Sequence, residues 1–72
     1  MQLNWKSYGD TGRWSHGEHG CWRVFTDGEW WHLTSQKFNE ELVLPRGKFT
    51  TRQRAMDFAQ EREDGVEIVA QA

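Results

Sequence analysis

The chain is poor in cysteine, proline and aliphatic side chains, and each scarcity removes a class of protein. Cys21 is alone, so no internal disulfide can form. Secreted domains of this size usually carry several, so a cytoplasmic location is expected. The opening Met1-Gln2-Leu3-Asn4-Trp5 has neither the basic region nor the apolar stretch of a signal peptide. No segment approaches the roughly 20 apolar residues of a membrane-spanning helix. An excess of positive charge is also missing. Nine Lys and Arg stand against eleven Asp and Glu, for a net charge of −2, so the chain as a whole exerts no pull toward nucleic acid.

Aromatic residues are abundant instead. Four Leu, four Val and one Ile are joined by five Trp, four Phe and one Tyr. Seventy-two residues allow one domain, residues 1–72, which buries only about 60% of its unfolded surface. A Trp buries on the order of 200 Å², and five exceed what so small a core requires. Some are therefore expected at a surface or an interface.

The pattern predicts an α+β fold, an antiparallel β-sheet of three to five short strands packed on one α-helix in the C-terminal half. Alternation marks strands at 3–8, 13–16, 21–26 and 29–34, with a short fifth at 42–44 closed by Pro45. The sheet thus spans 3–44. Ser35 to Glu41 reads as a loop and Arg46-Gly47-Lys48 as a turn. A helix is expected over 51–63. Thr50 and Gln53 form its capping box, Ala55, Met56, Phe58 and Ala59 its buried stripe, and Gly65 its left-handed C-cap. Residues 66–72, with Val66-Glu67-Ile68-Val69, form a terminal strand or a tail.

Asp27-Gly28 between β-formers signals a two-residue type I′ hairpin. It predicts Phe25 opposite Trp30, Arg23 opposite His32 and Trp22 opposite Leu33. Opposed residues share a face, so Trp22, Val24, Trp31 and Leu33 form a core face with Trp5 as a companion. Cys21, Arg23, Phe25, Trp30 and His32 form the other face, with Trp14 near it.

That mixed face is the most informative constellation. Trp and Arg are enriched at interface hot spots, exposed aromatic patches mark interaction sites, and aromatics on a sheet also stack unpaired bases. Its simplest structural role is a cross-strand Phe25–Trp30 pair. The first expectation is a non-enzymatic protein-binding module using Arg23, Phe25, Trp30, His32 and Trp14. The alternative is a nucleic-acid-binding module using Arg13 and Arg23 on the sheet and Arg46, Lys48, Arg52 and Arg54 around the helix start, where phosphates are readily held. Self-association through the aromatic face or a sheet edge is a third possibility.

No cofactor is expected. His16, His19, Cys21 and His32 are metal-ligand types, but their spacing matches no standard finger or knuckle, so no metal site is assigned. Cys21 lacks an oriented base and an oxyanion site. Glu40-Glu41 and Glu63-Asp64 read as solvated carboxylates. No catalytic residue is therefore assigned.

The stretch Gly47-Lys48-Phe49-Thr50-Thr51-Arg52-Gln53-Arg54-Ala55-Met56 follows Trp-rich hairpins. It resembles the strand-to-helix junction of the arm-type DNA-binding domains of phage integrases and the related plant AP2-type domain. Phe49, Thr51 and Ala55 match that junction. The chain also resembles short phage and prophage proteins with the rhythm W…G-x-W…G-x-W-R-V…D-G-x-W. The similarity spans most of residues 3–63. It implies a helix behind a sheet, a mobile-element origin and, for the integrase-type domain, basic sheet residues reading the major groove, here Arg13 and Arg23. Small phage proteins of this kind often inhibit a host protein.

Overall fold

A computed structural model describes residues 2–65. Five antiparallel strands run in chain order across one sheet, as a meander: β1 (Lys6–Tyr8), β2 (Gly12–His16), β3 (Gly20–Thr26), β4 (Trp31–Lys37) and β5 (Val43–Phe49). One helix, α1 (Arg52–Glu63), lies across one face. The α+β class and the sheet-then-helix order are as the pattern predicts. The proposed segment Val66–Val69 falls outside the described residues.

The core forms where Ala55 and Ala59, one turn apart on α1, meet Val24 of β3 and Leu33 of β4. All four side chains are fully buried, and Leu3 joins them from the N-terminal segment. Trp5, Trp22, Trp31, Phe49, Met56 and Phe58 pack around this centre, so the predicted core face and helix stripe are both found. Two alanines on the helix let its backbone approach the sheet closely, and the aromatics fill the rim. Leu3 N–H also donates to Gln60 Oε1 at 2.9 Å. In the same last turn of the helix, the Glu63 carboxylate accepts from Glu18 N–H at 2.7 Å and from Trp22 Nε1–H at 3.0 Å, which satisfies the indole of a half-buried Trp.

The β3–β4 hairpin departs from the expected register. Phe25 faces His32, Val24 faces Leu33 and Arg23 faces Thr34. The turn is centred on Gly28-Glu29, one residue later than Asp27-Gly28. Only Gly28 has positive φ there, at 98°, whereas a type I′ turn needs Asp27 there as well. Side chains decide the turn: Asp27 Oδ1 accepts from the N–H groups of Glu29 and Trp30, and Thr26 Oγ1 accepts from Gly28 N–H and donates to Trp30 C=O. Moving a turn centre by one residue moves every partner by two. Side chains alternate with period two, so the faces survive although each predicted pair is wrong.

Strand β4 starts at Trp31, not at residue 29, and extends through Ser35–Lys37, which the sequence marks as loop. Strand β5 likewise runs through Pro45 and the expected turn at Arg46-Gly47-Lys48. It is an outer strand, where a missing proline N–H is tolerated. The register shifts between Leu33, paired with Gly47, and Thr34, paired with Pro45, leaving Arg46 as an extra bulge residue. Gly47 takes φ of 145° in the bulge, which favours glycine. The bulge resets parity, so Leu44 and Phe49 both turn to the helix side while Lys48 turns to the opposite face.

The N-cap is Thr51 rather than Thr50. Its hydroxyl accepts from Arg54 N–H at 3.1 Å, and Gln53 bonds Asp57 instead of closing a capping box. Adjacent threonines offer the same chemistry, and the docking of Ala55 and Ala59 selects between them. Gly65 has φ of 75° just beyond the C-cap Asp64, as expected.

Leu33→Ala opens a cavity at the centre and is expected to cost about 2–5 kcal/mol, a large share of the stability of so small a domain. Urea denaturation followed by tryptophan fluorescence measures it.

Candidate functional site: the open face of the sheet

Among the described residues, no element packs on the side of the sheet opposite α1. Pairing assigns its side chains in three rungs. The first holds Tyr8 and Gly12 on β1 and β2, then Phe25, His32 and Lys48 on β3 to β5. The second holds Lys6, Trp14, Arg23, Thr34 and Pro45. The third holds His16, Cys21, Gln36 and Val43.

The rings form two groups. The Trp14 and His16 centroids are 4.9 Å apart edge-to-face, and Phe38, just beyond β4, continues the row 5.7 Å from His16. Phe25 and His32 stack at 5.5 Å. Tyr8, Phe25 and Phe38 remain 45%, 38% and 45% exposed, high for aromatics in a chain with so small a core. Cations lie over the rings: Lys6 over Trp14 at 5.5 Å, Arg23 over Tyr8 at 5.8 Å and Lys48 over Trp30 at 4.8 Å. Gly12 is needed beneath Tyr8, because a Cβ there would lie 3.0 Å from the tyrosine ring and 2.9 Å from the Val24 carbonyl.

A shallow hollow of about 270 Å³ opens on this face between β1, β2 and β3. It is lined by Tyr8, Trp14, His16, Cys21 and Arg23.

Charge is segregated by element. The five strands carry six basic residues (Lys6, Arg13, Arg23, Lys37, Arg46 and Lys48) and no Asp or Glu. Within the described residues, the carboxylates lie in loops and on or beside α1. The carboxylate nearest the open face along the hairpin is Asp27, whose Oδ2 accepts from His32 Nε2 at 2.8 Å.

Of the protein-binding set, Arg23, Phe25, His32 and Trp14 come together on this face. Trp30 does not belong to the sheet. It lies in the β3–β4 turn because the turn centre moved, and His32 takes its place opposite Phe25. The half-buried Trp30 ring meets Lys48 instead. The nucleic-acid set divides. Arg23 and Lys48 are on the open face. Arg13 pairs with Val24 on the helix side and donates to Gly12 C=O at 2.7 Å. Arg46, in the bulge, donates to Ser35 Oγ on that side at 2.7 Å. Arg52 bonds Thr11 C=O at 2.9 Å and lies 5.7 Å from the Trp31 ring, and Arg54 is exposed on the helix. The residues missed are Lys6, Tyr8, His16 and Phe38. Alternation from Trp5 inward already turns Lys6 outward, so that signal was present, whereas Phe38 reaches the face only through the chain reversal after β4.

His16 and Cys21 are cross-strand neighbours, but His32 is in another rung and His19 is in a loop. Among the described residues, no three His, Cys, Asp or Glu side chains gather as metal ligands do. No described helix is long and apolar enough to cross a membrane. Comparison with protein-family models, with curated proteins and with solved structures gives no match.

The Asp27 carboxyl is held well below the usual carboxylate range, first by the Trp30 N–H, then by the His32 side chain and the Glu29 N–H. A depressed folded pKa stabilises the fold above the unfolded value, about 3.9, and that contribution is lost as the pH falls toward the folded one. Asp27→Ala is therefore expected to lower the melting temperature at pH 7. The deficit should shrink below about pH 4, where wild type loses the same contribution; melts from pH 2.5 to 7 give both values.

Proposed function

We propose that this chain is a non-enzymatic binding module that holds a nucleic acid on the open face of its sheet. The observation that carries this reading is the strand composition: six basic residues, no carboxylate, and exposed rings interleaved with Lys6, Arg23 and Lys48 on one face. Cations meet phosphates and rings meet bases. The overall charge of −2 does not oppose this, because the acidic groups cluster on other elements. The integrase arm-type domains that the strand-to-helix junction resembles also present their sheet, in their case to a duplex.

A protein partner is the second reading. Tyr8, Trp14 and Arg23 are the side-chain types found at interface hot spots, and they cluster here with Phe25. A phage-type inhibitor of a host protein would use the same surface.

Binding of labelled oligonucleotides at low salt is expected, with a log–log salt slope of about −2 to −3 for three phosphate contacts. Arg23→Ala should weaken binding and reduce the slope by about 1, while Arg54→Ala on the helix should leave both unchanged. Failure of single strands and duplexes alike to bind at low salt defeats the nucleic-acid reading.

A further inference from the structure

Resting on that reading, we infer that the ligand is single-stranded and that the hollow between β1, β2 and β3 receives one unpaired base. The hollow measures about 270 Å³, just below the roughly 300–1,000 Å³ of pockets that enclose a whole small molecule. It therefore suits one flat group of a larger ligand. Its lining is chemically that of a base site: the Tyr8, Trp14 and His16 rings offer stacking and edge contacts, Arg23 offers a planar guanidinium, and Cys21 adds a small thiol side chain. No described carboxylate lines it.

The surroundings continue the pattern. Lys6, over Trp14, and Arg23, over Tyr8, place positive charge beside the hollow. Farther along the sheet, the Phe25–His32 stack gives a second platform, with Lys48 next to it in the same rung. Five strands span about 19 Å at the usual 4.8 Å spacing, so the site is short. About four nucleotides would cover it, the lower end of what sheet-based single-strand binders occupy.

A duplex does not satisfy these features. Its bases are already stacked and present only edges in the grooves, so the rings of the open face would have no base face to meet. Charge complementarity favours an anionic partner, since the open-face strand positions include three cations and no anion, and the one neighbouring carboxylate, Asp27, is engaged by His32. Of the anionic partners, an unpaired strand also supplies a flat group for the hollow.

The test is fluorescence anisotropy of the full chain with a labelled 12-nucleotide thymidine strand, a labelled 12-nucleotide uridine strand and a 12-base-pair duplex, at 20–200 mM salt as general reference conditions. Either single strand is expected to bind at least about tenfold more tightly than the duplex. Trp14→Ala should weaken single-strand binding about 5- to 150-fold, the range of one lost base stack. Cys21→Leu, which fills the hollow while keeping every ring and cation, should weaken it as well; far-UV circular dichroism confirms that each variant is folded. If Trp14→Ala unfolds, Cys21→Leu decides. Equal affinity for duplex and single strands, or unchanged affinity in folded Cys21→Leu, overturns the base site and leaves the nucleic-acid reading standing. Binding of none of the three probes overturns both, and loss of a captured protein partner in the same variants then marks the face as a protein interface.

Discussion

The seating of Ala55 and Ala59 against Val24 and Leu33 is the contact on which everything else depends. These side chains are all fully buried, and burying a Val or Leu contributes roughly 1.5–3 kcal/mol each. Folded domains are only marginally stable, so few alternatives to this arrangement remain. Once Val24 and Leu33 face the helix, period-two alternation sends Arg23, Phe25 and His32 the other way. The candidate site is thus the complement of the core: its residues are placed by what their neighbours bury, without themselves contributing much to folding.

The same constraint explains why a chain of net charge −2 has a cationic face. Asp and Glu are poor strand formers, and here the described ones lie outside the strands. The Cα extents are 37 × 27 × 21 Å, while exposed charges are screened over about 8 Å at physiological salt. A ligand on the open face would therefore meet Lys6, Arg23 and Lys48 more strongly than the carboxylates of the helix, and Asp27 is the carboxylate that reaches this face, through His32.

Two irregularities adjust the face. The Asp27-based turn lengthens the hairpin and takes Trp30 out of the sheet, while the bulge at Arg46 brings Lys48 onto the open face and sends Arg46 to Ser35. Each replaces a regular connection by one closed with side-chain hydrogen bonds or a positive-φ glycine. Together they decide which aromatic and which cation stand beside His32.

By itself, the sequence determined the fold class, the helix with its Ala55–Ala59 stripe, the core side of Trp22, Val24, Trp31 and Leu33, and the opposite side of Arg23, Phe25 and His32. All of these follow from periodicity, which is local and survives an error of two residues in register. Tertiary structure alone decided that Phe25 meets His32 rather than Trp30, that Phe38 joins the face, that Lys48 belongs to it rather than to the helix start, and that Arg13 faces the helix side. The reason is physical. The turn centre depends on which side-chain oxygen reaches which N–H, and the bulge on how β5 pairs with β4 on either side of Arg46. Those choices rest on individual hydrogen bonds and strand pairings, about which hydrophobic spacing carries no information.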